Sequence, residues 1–93
     1  MREIERPGSF KRDYKRETKG PHRKVLDQLL IPVLRALATD QPLERRYHDH
    51  DLTGDWVGHR ECHLKPDLLL IYRLVGEDTL IVVRLGSHSE LFG

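Results

Sequence analysis

The chain has 93 residues, enough for one small domain and no second core of ordinary size, so residues 1–93 are read as a single unit. Hydrophobic residues make up 38% and charged residues 33%; the apolar ones are clustered, which argues against a disordered chain, and no apolar run approaches the roughly 20 residues of a membrane helix. One cysteine excludes an internal disulfide framework and a cysteine-rich zinc site, and the net charge of +1 conceals a front end of +5 over residues 1–24 against −4 over the rest.

In chain order, Arg2 to Arg6 reads as a short edge strand stopped by Pro7-Gly8. Ser9 is placed to cap a short basic helix over residues 10–18, which Gly20-Pro21 breaks. From residue 22 to 38 the apolar positions Val25, Leu26, Leu29, Leu30, Val33, Leu34, Leu37 and Ala38 follow i, i+3, i+4 spacing, predicting an amphipathic helix. Pro32 falls inside that pattern and should kink or split it.

After residue 45 the period changes. Trp56 to Leu64 alternates apolar and polar residues as a strand does. Asp67 to Val75 contains LLLIY, a continuous apolar run expected for a central strand covered on both faces. Gly76-Glu77-Asp78 reads as a turn, and TLIVVRL over 79–85 as a strand rich in β-branched residues. Short turns imply an antiparallel meander, and helices followed by such strands make an α+β domain with the helices on one face of the sheet. The opening segment lacks an apolar core, so it is read as no secretory signal and a cytoplasmic location is expected.

Five of the six histidines lie in the second half. If 56–64 is one strand, Val57, His59, Glu61 and His63 point to one side, and Trp56, Gly58, Arg60 and Cys62 to the other. Trp56 is then expected in the core beside Cys62. Asp67, just past Lys65-Pro66, should sit near His63, and His88, just past the last strand, should finish at the same end of the sheet. Such a cluster suits a metal site or metal-free acid–base chemistry. RNA cleavage is a natural use of the latter: a base takes the ribose 2′-OH proton, and an acid protonates the leaving 5′ oxygen.

Three segments carry a resemblance. Residues 47–58 fit a "DH-x-L-x-G-x-W" pattern. They are followed, in order, by Arg60-Glu61-Cys62-His63-Leu64-Lys65-Pro66-Asp67-Leu68-Leu69-Leu70-Ile71-Tyr72 and by Arg84-Leu85-Gly86-Ser87-His88-Ser89-Glu90-Leu91-Phe92. Together they resemble the YafQ branch of the RelE superfamily of toxin ribonucleases, over essentially the whole chain. The resemblance implies a RelE-like α+β fold with N-terminal helices on a small antiparallel sheet. It also implies cleavage of messenger RNA in the ribosomal A site without a metal or cofactor, and silencing by a cognate antitoxin.

His50, His63, Asp67 and His88 match the family's functional positions. Phe92 matches a C-terminal aromatic that helps hold RNA, and Arg60 and Glu61 match a pair beside the first catalytic strand. Lys65 and Arg84 are candidate phosphate contacts by position and charge. Leu68 departs from members that carry Trp there. His50 is assigned as general base and His88 as general acid, with His63 and Asp67 orienting and balancing charge; the two pairs can exchange roles. The basic N-terminal helices are assigned to ribosomal RNA. His22, His48 and His59 are treated as surface residues. A catalytically inactive nucleic-acid- or antitoxin-binding module of the same fold is the alternative.

Overall fold

The structure, a computed structural model, describes residues 1–93. Ten elements follow in order: β1 (Glu3–Glu5), α1 (Gly8–Glu17), α2 (Leu26–Ala38), a 3₁₀ turn (Arg45–Tyr47), β2 (His50–Asp51), a second 3₁₀ turn (Gly54–Trp56), β3 (Arg60–Lys65), β4 (Leu68–Val75), β5 (Thr79–Gly86) and α3 (His88–Phe92). The strands form one sheet in the order β1-β5-β4-β3-β2. The β2–β5 part is the expected antiparallel meander, but β1 joins β5 in parallel, so the sheet is mixed rather than wholly antiparallel. Arg2 fixes that edge: its backbone N–H donates to Ala38 O, and its guanidinium reaches Asp40, Gly76 O and Thr79 O.

Strand β4 alternates between two cores. Leu68, Leu70 and Tyr72 face the helices and pack with Phe10, Leu26, Leu30, Val33 and Leu37, joined by Cys62, Leu64, Leu80, Val82 and Leu85. Leu69 and Ile71 face the other way, under Leu91 with Leu52, Trp56 and Val83 packed alongside. The continuous LLLIY run is therefore what a strand covered on both faces requires.

Several local expectations are corrected. Helix α1 starts at Gly8 with Pro7 at the cap position, and no side chain caps it; the Ser9 hydroxyl instead donates to Val83 O, tying α1 to β5. Helix α2 starts at Leu26 rather than 22, because successive i→i+3 bonds (Arg23 N–H to Gly20 O, Val25 N–H to His22 O) turn the preceding segment. Pro32 neither splits nor ends α2, whose buried stripe of Leu30, Val33 and Leu37 spans it and holds both halves on the core. Strand β3 begins at Arg60 rather than 56, since a 3₁₀ turn occupies Gly54–Trp56 and Gly58 (φ 88°) takes the left-handed backbone of a turn.

Candidate active site

The face of the sheet opposite the helices carries most of the histidines, and register assembles them. In β2, His50 lies directly opposite Glu61 of β3. His63 of β3 is paired with Leu69 of β4, and Leu69 with Gly86 of β5. That row across three strands brings His63 beside the end of β5, where Ser87 opens α3 and His88 is its first residue. Ser87 and Glu90 form a reciprocal capping box: Ser87 Oγ accepts from the Glu90 N–H, and Glu90 Oε1 accepts from the Ser87 N–H. A five-residue helix is thereby held at the strand end.

His63 is the centre of an arc of imidazoles. Its ring centroid lies 5.6 Å from His48, 6.4 Å from His50 and 6.3 Å from His88. The arc continues to Phe92, 5.4 Å from His88, and to Trp56, 6.0 Å from Phe92. Beneath the arc sits the buried carboxylate of Glu61, 3% exposed, with Oε1 3.2 Å from His63 Nε2 and 3.6 Å from His50 Nε2. His50 Nδ1 is 2.6 Å from His48 O. A carbonyl only accepts, so Nδ1 carries a proton; neutral His50 therefore presents Nε2 as a bare lone pair, the form a general base needs.

His48, His50, His63 and Lys65 line a cleft of about 700 Å³ with Arg46 and Tyr47. Lys65 is exposed and has no ion-pair partner, leaving its ammonium free for a phosphate. Phe92, 40% exposed, offers a ring face beside His88.

Three expected site residues are placed elsewhere. Asp67 does not join the arc: its Oδ1 is 2.9 Å from His22 Nε2, and the pair lines a second cleft of about 770 Å³ beside α1. The β3–β4 turn carries it past the row that His63 occupies. Arg60 projects from the opposite face of β3 from Glu61 and His63, where Asp49 and Asp51 hold its guanidinium at 3.1 and 2.6 Å and Tyr72 Oη accepts from Nε. That network holds the Arg60 proton more tightly than usual, chiefly through the Asp49 hydrogen bond, and leaves no free fork for a phosphate. Arg84 directs Nε and Nη2 to buried Asp13, at 2.6 and 3.2 Å, and acts first as that carboxylate's partner.

The sequence reading also missed residues. His48 is in the arc, not a bystander; it takes left-handed backbone (φ 48°) after the first 3₁₀ turn, which lays its ring against His63. His22 is half-buried against Asp67. Trp56 lies on the histidine side, against the Leu69–Ile71–Leu91 cluster and edge-on to Phe92, not in the core with Cys62. Helix α3 had a readable signal, Ser87-x-x-Glu90; nothing local in the sequence predicts the other three.

The imidazoles and Glu61 form no chelate in this arrangement: no three His, Cys, Asp or Glu side chains converge closely enough to hold one ion.

Residues 2–93 match the family described as "Bacterial toxin of type II toxin-antitoxin system, YafQ". The mRNA interferase toxin YafQ of Escherichia coli K12 is 36% identical over 93 residues, covering 100% of this chain and 98% of that protein. The crystal structure of the E. coli DinJ-YafQ complex superposes with a TM-score of 0.86 at 36% identity, over 100% of both chains. A metal-bound toxin from Helicobacter pylori superposes with a TM-score of 0.88 at 49% identity, covering 99% of this chain and 100% of that one.

Proposed function

The chain belongs to the YafQ family, the toxins of bacterial type II toxin–antitoxin systems, and on that premise we propose that it cleaves messenger RNA by intramolecular attack of a ribose 2′-OH, with His50 and His88 as its acid–base pair. The observation that carries this reading is the convergence of His50 and His88 on His63, with His50 and His63 both beside one buried carboxylate. His50 and His88 flank His63 on either side, as a base and an acid must flank the phosphate of an in-line displacement.

In the first step His50 Nε2 accepts the 2′-OH proton. The O2′–P bond forms as the P–O5′ bond breaks, and His88 gives its proton to O5′. The products are a 2′,3′-cyclic phosphate and a 5′-OH, with His50 protonated and His88 neutral; exchange with water resets both. Lys65 supplies positive charge where the phosphorane develops negative charge, and His63 is oriented by donating to Glu61. Phe92 provides a surface on which a base adjacent to the cut can stack. Asp67 acts through His22, ordering the β3–β4 turn that carries Lys65, and Arg60 acts by holding the Asp49 loop that leads into His50. No step runs through a metal ion.

The setting is the translating ribosome, and the protein works in the cytoplasm. Arg12, Lys15 and Lys19 line the cleft beside α1 with no ion-pair partners, which supports contact of this face with ribosomal RNA. The relative crystallised with DinJ supports a cognate antitoxin for this chain as well. The direct test is primer extension on a message translated in a purified system. Cleavage by the wild-type chain, absent with His50→Ala and His88→Ala, supports the proposal. A folded protein that binds ribosomes but leaves the message whole would make it an inactive module of the same fold.

A further inference from the structure

Arg16 on α1 is the most connected side chain outside the arc. Its Nη2 donates to Leu85 O at 2.8 Å, and Nη1 to Asp13 Oδ1 at 3.1 Å. Nε donates to Glu17 Oε2 at 2.9 Å and lies at the same distance from Glu90 Oε2. One planar fork thus joins helix α1, the last turn of β5 and the first turn of α3. The backbone between these points is built around it: a Cβ added to Gly86 would lie 2.5 Å from Arg16 Nη2 and 3.0 Å from Glu90 Oε1. Gly86 does not have a positive φ, so what the missing Cβ gives is room: a side chain there would push the Arg16 fork out of its present place.

The charges agree with that geometry. Glu90 is held below the ordinary carboxylate range, first by the hydrogen bond from the Ser87 N–H and with Arg16 contributing. Buried Glu17 is pushed up by burial, with Glu90 adding to the effect, so the guanidinium keeps two neighbouring carboxyl groups together. Glu90 is also half of the capping box that starts α3. Its Oε1 is committed to Ser87 and its Oε2 to Arg16.

We propose that Arg16 is a positioning residue for His88: through Leu85 O and Glu90 it fixes the junction of β5 and α3, and so the placement of the His88 and Phe92 rings. The proposal rests on the reading of His88 as an acid–base group. A five-residue helix has little stability of its own, because its nucleus is costly and few bonds follow. Without the fork, α3 is held by its capping box, by Leu91 on the small second core and by the ring contacts of His88 and Phe92.

The test compares Arg16→Met, Arg16→Lys and Glu90→Gln in the full chain. Glu90→Gln keeps an oxygen for the Ser87 N–H but removes one of the charges that Arg16 meets, and with it the repulsion on neighbouring buried Glu17. A displacement of about 1 Å costs up to about 100-fold in rate. Arg16→Met should therefore lower kcat by about 10- to 100-fold with KM within about twofold. Arg16→Lys should recover part of the loss, and Glu90→Gln should fall between. The double variant Arg16→Met/Glu90→Gln should be no worse than Arg16→Met alone, as two ends of one contact require. The independent readout is amide exchange: Leu91 and Gly93, bonded to Ser87 O and Ser89 O, should exchange faster in both single variants while β4 amides keep their protection.

Unchanged kcat together with unchanged Leu91 exchange in Glu90→Gln would overturn the proposal, as would a loss confined to KM. If Arg16→Met fails to fold, Glu90→Gln decides alone. If the wild-type protein does not cut RNA, the catalytic reading fails, and the exchange measurement still decides whether Arg16 positions α3.

Discussion

His63 Nε2 lies 3.2 Å from Glu61 Oε1, a carboxylate that is buried beneath the sheet face and has no Lys or Arg within ion-pairing distance, only the imidazoles of His63 and His50. A buried carboxylate is costly unless paired, so Glu61 holds the imidazoles as much as they hold it. Glu61→Gln keeps the shape and removes the charge. It should lower kcat by about 10- to 100-fold, within the range of a lost acid–base or orienting contribution, and alter the pH–rate profile. Single-turnover cleavage across pH 5 to 9 checks this; an unchanged profile would place Glu61 outside the catalytic apparatus.

His88→Ala and His50→Ala should each reduce cleavage by about two to four orders of magnitude, the usual effect of losing one general acid or base. Both side chains are exposed at the rim, away from the core packed on α1 and α2, so circular dichroism and thermal unfolding should be close to wild type. Losses in the two variants should also be far from additive, because the two groups act in one step.

Asp13 gives a stability signature in acid. Burial alone would raise its pKa, but hydrogen bonds from Arg84 and the Leu85 N–H, with the charges of Arg84 and Arg16, hold it below the ordinary carboxylate value. The contribution is therefore complete above the unfolded value, near 3.9, and is lost as pH falls through the lower folded value. Glu17, pushed up by burial, works in the opposite sense: its contribution is present below the unfolded value and fades as pH rises through the folded one. Asp13→Asn should lower Tm at pH 7 and flatten its decline between about pH 5 and 2. A parallel decline in wild type and variant would remove Asp13 as the cause.

Cys62 should be chemically silent. Its thiol is fully buried and pushed up to about 12, chiefly by burial and further by the Asp49 and Glu61 charges. A thiol-specific reagent should react with the folded protein only at the rate of unfolding, and with urea-unfolded protein at once. Fast labelling of native protein would show that β3 opens locally.

Much of this was legible in the sequence, for physical reasons. The LLLIY run, the β-branched 79–85 segment and the 3.6-residue spacing read over 22–38 each report a buried surface, and burial is a strong local signal. Alternation placed Glu61 and His63 on one face, and topology brought His88 to the same rim. What failed depended on backbone outside the regular states. The 3₁₀ turns and left-handed Gly54 and Gly58 moved Trp56 from the helix-side core to the smaller core on the histidine side, and left-handed His48 swung into the arc. Asp67 and Arg60 lie off the arc because nearer partners, His22 for one and Asp49 and Asp51 for the other, hold the same atoms. No spacing rule shows that competition.

The proposed reaction requires the substrate's own 2′-OH as nucleophile. The measurement is cleavage of a message carrying one 2′-deoxy nucleotide immediately 5′ of the cut, with end-group analysis of the products from the unmodified message. The arrangement of His50, His63, Glu61 and His88 predicts a 2′,3′-cyclic phosphate or its opened 3′-phosphate, and a deoxy substrate that binds but resists cleavage. A 3′-hydroxyl product, or undiminished cutting of the deoxy substrate, would show that water or a metal-bound hydroxide attacks instead and would contradict the mechanism.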